Sequence, residues 1–425
     1  MPPNIYSQIR DNEAVKALGP GLITGAADDD PSGIATYSQA GAQFGFNMLW
    51  TVVLTYPFMV GIQLVSARIG RVTGRGLAAN IRRAYPPQLL YTVVLLLLAA
   101  NILNIAADIA AMGEAMHLVV GKGSPHLYSL GFGFLCLSLQ IFLPYRKYVH
   151  YLKWLTLGLL AYVATVFTIH VPWHEVMLRT VAPHFTWNNA SVTLIVAVFG
   201  TTISPYLFFW QASHEVEELR ADGTALALRK APTQARANLR RIKIDTFIGM
   251  GFSNLVAFFI ILTTASTLAL HGITNIQTSA QAAEALRPLA GEFAFALFAL
   301  GIIGTGLLAV PVLAGSSAYA VTESFRWPNG LDLKALQARE FYAIISLATI
   351  GGMLLNFTPV DPIKALFWSA LINGVISVPI MAVMLLLACE SDIMGEFTLS
   401  RRHRIIGWLG VVIMLAAVVA MFATL

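Results

Sequence analysis

Asp28-Asp29-Asp30-Pro31-Ser32-Gly33 interrupts an apolar stretch that otherwise runs from about residue 17 to residue 41. Proline removes a backbone donor, clashes with the preceding turn and pushes the residue before it out of helical geometry. A helix carrying this step unwinds there. A kink alone does not account for three consecutive aspartates. An ionised carboxylate at membrane depth is costly, and such groups pair with a cation, line a hydrated cavity or relay protons.

The rest of the chain supplies the membrane. Of 425 residues, 57% are hydrophobic and 12% charged, whereas a soluble domain carries about twice that charged fraction. Eleven apolar runs, near 17–41, 45–68, 89–118, 125–144, 150–170, 191–214, 244–271, 290–322, 340–357, 363–388 and 405–424, approach the roughly 20 residues that cross a bilayer. The expectation is an all-α polytopic membrane protein of about 11 helices. Residues 1–16 are polar and lead straight into the first run, so they are expected to form a cytoplasmic N-terminal segment and not a cleaved leader.

Lysine and arginine near span ends are retained in the cytoplasm. With the N-terminus inside, the inner loops hold Arg68, Arg71, Arg75, Arg82, Arg83, Arg146, Lys147, the cluster Arg229 to Lys243, Arg326, Lys334, Arg339, Arg401, Arg402 and Arg404. The opposite loops hold Lys122, Arg179, Arg287 and Lys364. A cell-membrane protein with a cytoplasmic N-terminus and an outer C-terminus follows. Net charge +5 is thereby explained by topology and by attraction to anionic membrane lipids, with no nucleic-acid partner. Cys136 and Cys389 make neither a disulfide framework nor a metal cluster.

A second anomaly matches the first. Ser204-Pro205 breaks the sixth run, and Gly25, Gly33 and Gly200 loosen the two places. Paired broken helices in two five-span halves point to an inverted repeat with substrate held between the breaks. The halves are expected at 17–170 and 191–388, with 405–424 as an additional helix outside the repeat. The bland alternative is that Pro31 and Pro205 merely kink two helices.

An unwound segment can turn Asp28, Asp29 and Asp30 toward one cavity along with freed carbonyls, and oxygen coordination suits a hard cation. At the sixth-run break, Thr201, Thr202, Ser204 and Tyr206 add hydroxyls, although such groups also satisfy freed backbone beside a proline. Gln211 and His214 follow. His214 either relays protons or meets cytoplasmic water beside Glu215, Glu217 and Glu218, which are expected to be solvated. In the third run Asn101, Asn104 and Asp108 share one helical face, with Glu114 further along. Asp108 is the stronger functional candidate, because an asparagine is readily satisfied by neighbours. Ser369 and Asn373 in the tenth run either face the cavity or act as packing glue.

At these residues the chain resembles the Nramp family of divalent-metal transporters. The match runs from Gly19-Pro20-Gly21 through Asp30-Pro31-Ser32-Gly33 to Ala40-Gly41-Ala42-Gln43-Phe44-Gly45-Phe46, and recurs at Gly200 to Pro205 and from Ala280 to Phe325. The resemblance implies a LeuT-type 5+5 inverted repeat with helices 1 and 6 broken, and metal uptake with protons. It also implies a site of first-span Asp and Asn, sixth-span Met and backbone carbonyls. Aligned on the two prolines, Asp30 matches the aspartate, Gly33 stands at the asparagine position and Ser204 at the methionine position. The carbonyl donors fall at Ala27 and Thr201. Tyr206 and Gln211 stand where the family has histidines, and Ala370 where it has a glutamine. Asp108 matches an acidic residue of the proton path, while the glutamate expected one turn later is Ala111.

Loss of the thioether, a soft ligand, favours hard ions such as Mg²⁺ or Mn²⁺. The expectation is a secondary transporter, working as a monomer by alternating access with proton coupling. Asp30 is its central ligand, Asp28 and Asp29 concentrate cations, Ser204 supplies an oxygen, and Asp108, Glu114 and His214 form the proton path. No resident cofactor is expected. The alternative keeps the fold and carries an organic cation, an amino acid or a small anion such as bicarbonate. An enzyme is disfavoured because no nucleophile–base pair, zinc-binding His-Glu pattern or phosphate loop occurs.

Overall fold

The computed structural model describes residues 24–25, 27–143, 158–184, 186–358 and 361–424. Gly19-Pro20-Gly21, Arg146 and Lys147 lie outside the described residues. Every regular element among the described residues is helical. The principal ones are α1 (Pro31–Phe44), α2 (Leu49–Thr73), α3 (Leu77–Ala84), α4 (Pro87–Val120), α5 (Pro125–Phe142), α6 (Leu160–Val166), α7 (Trp173–Val181), α8 (Asn189–Thr202), α9 (Pro205–Ala221), α10 (Ala235–Thr267), α11 (Ala294–Phe325), α12 (Arg339–Leu355), α13 (Pro362–Cys389) and α14 (Arg401–Thr424).

Among the described residues, eight helical stretches are long and apolar enough to cross a membrane. They cover nine of the expected runs, the first two lying together in residues 31–73. The fifth and ninth runs hold the shorter α6 and α12.

Both expected breaks are present, and proline alone did not decide them. Pro57, Pro311 and Pro379 sit inside the continuous helices α2, α11 and α13. At Asp30 (φ −69, ψ 169) and Ser204 (φ −81, ψ 128) the backbone is extended instead, and Pro31 and Pro205 become the first residues of new helices. That position suits proline, whose missing N–H is one of the donors a helix start leaves unpaired anyway.

Helix α4 is central, packed against α11, α13, α5 and α12. The half-helix α8 lies against α13 and α1, α9 against α2 and α11, and α10 against α1 and α2. Small residues allow these approaches. A Cβ on Gly200 would strike Ala370 O and the Gly374 backbone, and one on Gly25 would strike the Gly249 backbone. These glycines serve close packing as much as flexibility at the breaks.

One end of the bundle gathers the arginines. Arg68 donates to Phe397 O and Thr398 O, Arg82 to Glu323 O, Arg229 to Asp392 O and Ile393 O, and Arg71 to Asn238 Oδ1. The expectation that Glu215 and Glu217 are solvated is corrected here, since both are buried. Glu215 pairs with Arg241, and Glu217 accepts the Tyr319 hydroxyl and the Leu331 N–H. α9 packs between α2 and α11 up to this level and carries them inward. Glu218 is half-buried.

Candidate functional site

Asp30 is held by the start of α1. As its N-cap, it accepts the Gly33 N–H on Oδ1 at 2.7 Å, which satisfies one donor that the helix start leaves open. Its other oxygen, Oδ2, accepts Asn104 Nδ2 at 2.9 Å from α4. Asn104 Oδ1 accepts the Ser369 hydroxyl from α13 at 2.7 Å, and Ser369 Oγ lies 3.3 Å from Ser32 Oγ. The result is a polar ring of Asp30, Asn104, Ser369 and Ser32 within an otherwise apolar bundle. Asn104 can hold only one amide orientation here, because its two ends meet an acceptor and a donor.

Asp108, one turn beyond Asn104 on α4, is fully buried with neither oxygen in hydrogen-bond geometry, and the Ser32 backbone and Asp30 are its neighbours. Among the described residues no ion pair reaches Asp28, Asp29, Asp30 or Asp108. A buried carboxylate without a counter-charge carries a large desolvation cost, and a cation or a proton relieves it.

The second break meets the first directly. Gly33 packs against Thr201, whose Oγ1 would lie 3.1 Å from a Cβ at that position. Tyr206 OH donates to Ala27 O at 3.0 Å, and Tyr37 OH lies 3.1 Å from Thr202 Oγ1. Thr24 Oγ1 donates to Gln211 Oε1 at 2.6 Å. Ser204 Oγ stays within its own segment, near Gly200 O at 3.0 Å and Thr201 O at 2.9 Å. Both carbonyls expected to coordinate, Ala27 and Thr201, thus already carry hydroxyl partners.

The triple aspartate does not converge on one cavity. Asp28 Oδ2 and Asp29 Oδ1 both face Ser253 Oγ of α10, at 2.7 and 3.0 Å, while Asp30 turns to α4. Among the described residues no three His, Cys, Asp or Glu side chains come close enough to form a metal cage. Asp28 and Asp29 thus share one hydroxyl, and Asp30 has its own partners. The bend at Asp29 sends consecutive side chains to different neighbouring helices.

Glu114 lies apart, accepting the Ser279 N–H at 3.4 Å, and the His214 ring lies tilted against Trp210 with ring centroids 5.7 Å apart. No hydrogen bond among these joins either residue to Asp108. Asn101 donates to Leu313 O and to the Ser316 and Ser317 hydroxyls of α11, which is interhelical bonding. Ser253 escaped the sequence argument, since a lone serine in an apolar span carries no signal. Asn104 was visible in its stripe, but its direct contact with Asp30 was not.

With this geometry in place, comparison with known protein families identifies one. The profile described as "Natural resistance-associated macrophage protein-like", Nramp, matches residues 21–424. The chain is 27% identical over 380 residues to a protein of Acidiphilium cryptum named divalent metal cation transporter MntH, covering 86% of this chain and 81% of that one. It is 25% identical over 410 residues to a protein of the same name from Deinococcus radiodurans, covering 94% and 87%. Among solved structures, a manganese transporter of Eremococcus coleocola superposes with TM-score 0.73 at 16% identity, over 99% of this chain and 89% of that one. Mhp1, a nucleobase-cation-symport-1 family transporter, gives 0.59 at 14% identity, over 96% and 92%. These likenesses place the chain in the LeuT-type architecture.

Proposed function

We propose that this chain, which belongs to the Nramp family, is a secondary transporter that carries a divalent metal cation by alternating access, with Asp30 as its central ligand. The observation that carries this is the Asp30 carboxylate itself. It is buried at the meeting point of two broken helices, with no ion pair among the described residues, in a ring of oxygen and amide groups from α1, α4 and α13. The names borne by the relatives support a divalent ion. The donors at hand are carboxylate, hydroxyl and amide oxygens with no thioether, which favours Mg²⁺ or Mn²⁺ over soft metals.

In this proposal the two halves, 17–170 and 191–388, move about the breaks, and cation entry requires the Tyr206 and Ser204 hydroxyls to release the Ala27 and Thr201 carbonyls. Protons travel by Asp108. The end rich in arginines is cytoplasmic. Purified protein in liposomes is expected to show Mn²⁺ or Mg²⁺ flux that Asp30→Ala abolishes; undiminished flux in that variant overturns the site.

The occupied carbonyls favour a second reading, transport of an organic cation. A small anion fits less well, because Asp28, Asp29 and Asp30 place negative charge beside the α1 N-terminus that would otherwise receive it. Calorimetric heat from an organic cation, with none from Mg²⁺ or Mn²⁺, would select this reading.

A further inference from the structure

A groove of about 160 Å³ opens where α2, α10 and α14 meet at the arginine-rich end of the bundle. Its walls are Leu64 and Val65 of α2, Leu239 and Ile242 of α10, and Leu399 just before α14. Among the described residues, Arg68, Lys243 and His403 are its charged or titratable lining residues, and no carboxylate lines it.

The three basic groups are fixed in different ways. Arg68 uses Nε and Nη2 on Phe397 O and Thr398 O, at 3.0 and 3.4 Å. Lys243 Nζ sits 5.8 Å from the centre of the exposed Phe247 ring, and His403 Nδ1 is 2.7 Å from Ser400 Oγ. Beyond the groove, Ile244 and Ile248 of α10 and Ile405 and Ile406 of α14 are exposed, which continues the apolar surface along both helices. A polar solute would gain nothing from that strip. An acyl chain would.

We propose that this groove is a binding site for an anionic phospholipid, with its phosphate among Arg68, Lys243 and His403 and its chain along the apolar wall. Basic pockets between spans on the cytoplasmic side hold anionic headgroups, each cation contributing about 1 kcal/mol. Arg68 and Lys243 carry positive charge with no carboxylate among the described lining residues, His403 adds a ring nitrogen, and a phosphate would balance the two charges. The lipid then ties α14, two-thirds of whose apolar window is unburied, to α2 and α10. The site is independent of which solute the Asp30 ring carries.

The test is thermal unfolding of the full chain in detergent with added phosphatidylglycerol, phosphatidylcholine or inorganic phosphate. Phosphatidylglycerol is expected to raise the unfolding midpoint while the other two do not. Lys243→Gln with His403→Gln leaves the Arg68 brace intact and should demand at least roughly fivefold more phosphatidylglycerol, from the loss of the Lys243 charge. Leu239→Trp, which fills the groove and keeps the cations, should abolish the shift. Equal stabilisation by phosphatidylcholine, or an unchanged response in both variants, overturns the proposal. A shift reproduced by inorganic phosphate alone also overturns it, in favour of a free-anion site.

Discussion

Asn104 Nδ2 donates to Asp30 Oδ2 at 2.9 Å, so the aspartate at the first helix break is bound from a different helix by an amide and not by a cationic side chain. Because Asp30 also caps α1 through Gly33, its structural and functional roles can be separated. Asparagine caps a helix about as well as aspartate. Asp30→Asn should therefore keep the α1 cap, lose about 1–3 kcal/mol because its amide N–H2 would face the Asn104 N–H2, and lose Mn²⁺ or Mg²⁺ flux. Asp30→Ala should lose the flux and also about 0.5–2 kcal/mol of stability. Retained flux in Asp30→Asn would make the residue a cap only.

Ser204 stands where the resemblance places a methionine, and its hydroxyl is spent on Gly200 O and Thr201 O. Ser204→Met introduces a thioether and frees both carbonyls. Competition assays should then show Mn²⁺ or Cd²⁺ gaining on Mg²⁺ by at least tenfold, since soft donors favour the softer metals. An unchanged order of preference would place the transported ion away from Ser204.

Tyr206 holds the Ala27 carbonyl at 3.0 Å. If that carbonyl must turn to the cation, the tyrosine hydroxyl competes with the ion. Tyr206→Phe is expected to cost about 1 kcal/mol of stability while lowering KM for the transported cation. A raised KM would instead assign the hydroxyl to the substrate.

Much of this architecture was legible because proline and charge break rules that a lipid-spanning helix otherwise obeys. The backbone is extended at Asp30 and at Ser204, as expected, and the apolar runs are largely helical over their described residues. What could not be read was direction. Consecutive aspartates at a bend point to different helices, so Asp28 and Asp29 reach Ser253 while Asp30 reaches Asn104. Glu215 and Glu217 looked solvated because their partners, Arg241 and Tyr319, lie far away in sequence. Asn104 was ranked below Asp108 because an amide is easily satisfied; the partner that satisfies it is the central carboxylate.

Gly200 illustrates the same limit at the level of packing. In the sequence it reads as a loosening residue beside a break, but it is where α8 crosses α13 with backbone against backbone. Gly200→Ala should lower stability by about 1–3 kcal/mol through overpacking, seen as a reduced unfolding midpoint in detergent. A neutral result would mean that α13 can shift at Gly374 to admit a methyl group.

Asp108 bears on coupling. It lies one turn from Asn104 on α4, fully buried, with both oxygens outside hydrogen-bond geometry. Under the proposed function, a cation arriving at Asp30 would add positive charge near this second carboxylate and favour release of a proton from it. Asp108 is the residue to test. Asp108→Asn keeps the shape and removes the titratable group. Uptake by the parent chain should accelerate when the outside is made acidic relative to the inside. In the variant, uptake should persist at the ungraded rate and lose that acceleration. Acceleration that survives the substitution would move proton transfer elsewhere, and an absence of acceleration in the parent chain would mean that transport is not proton-coupled.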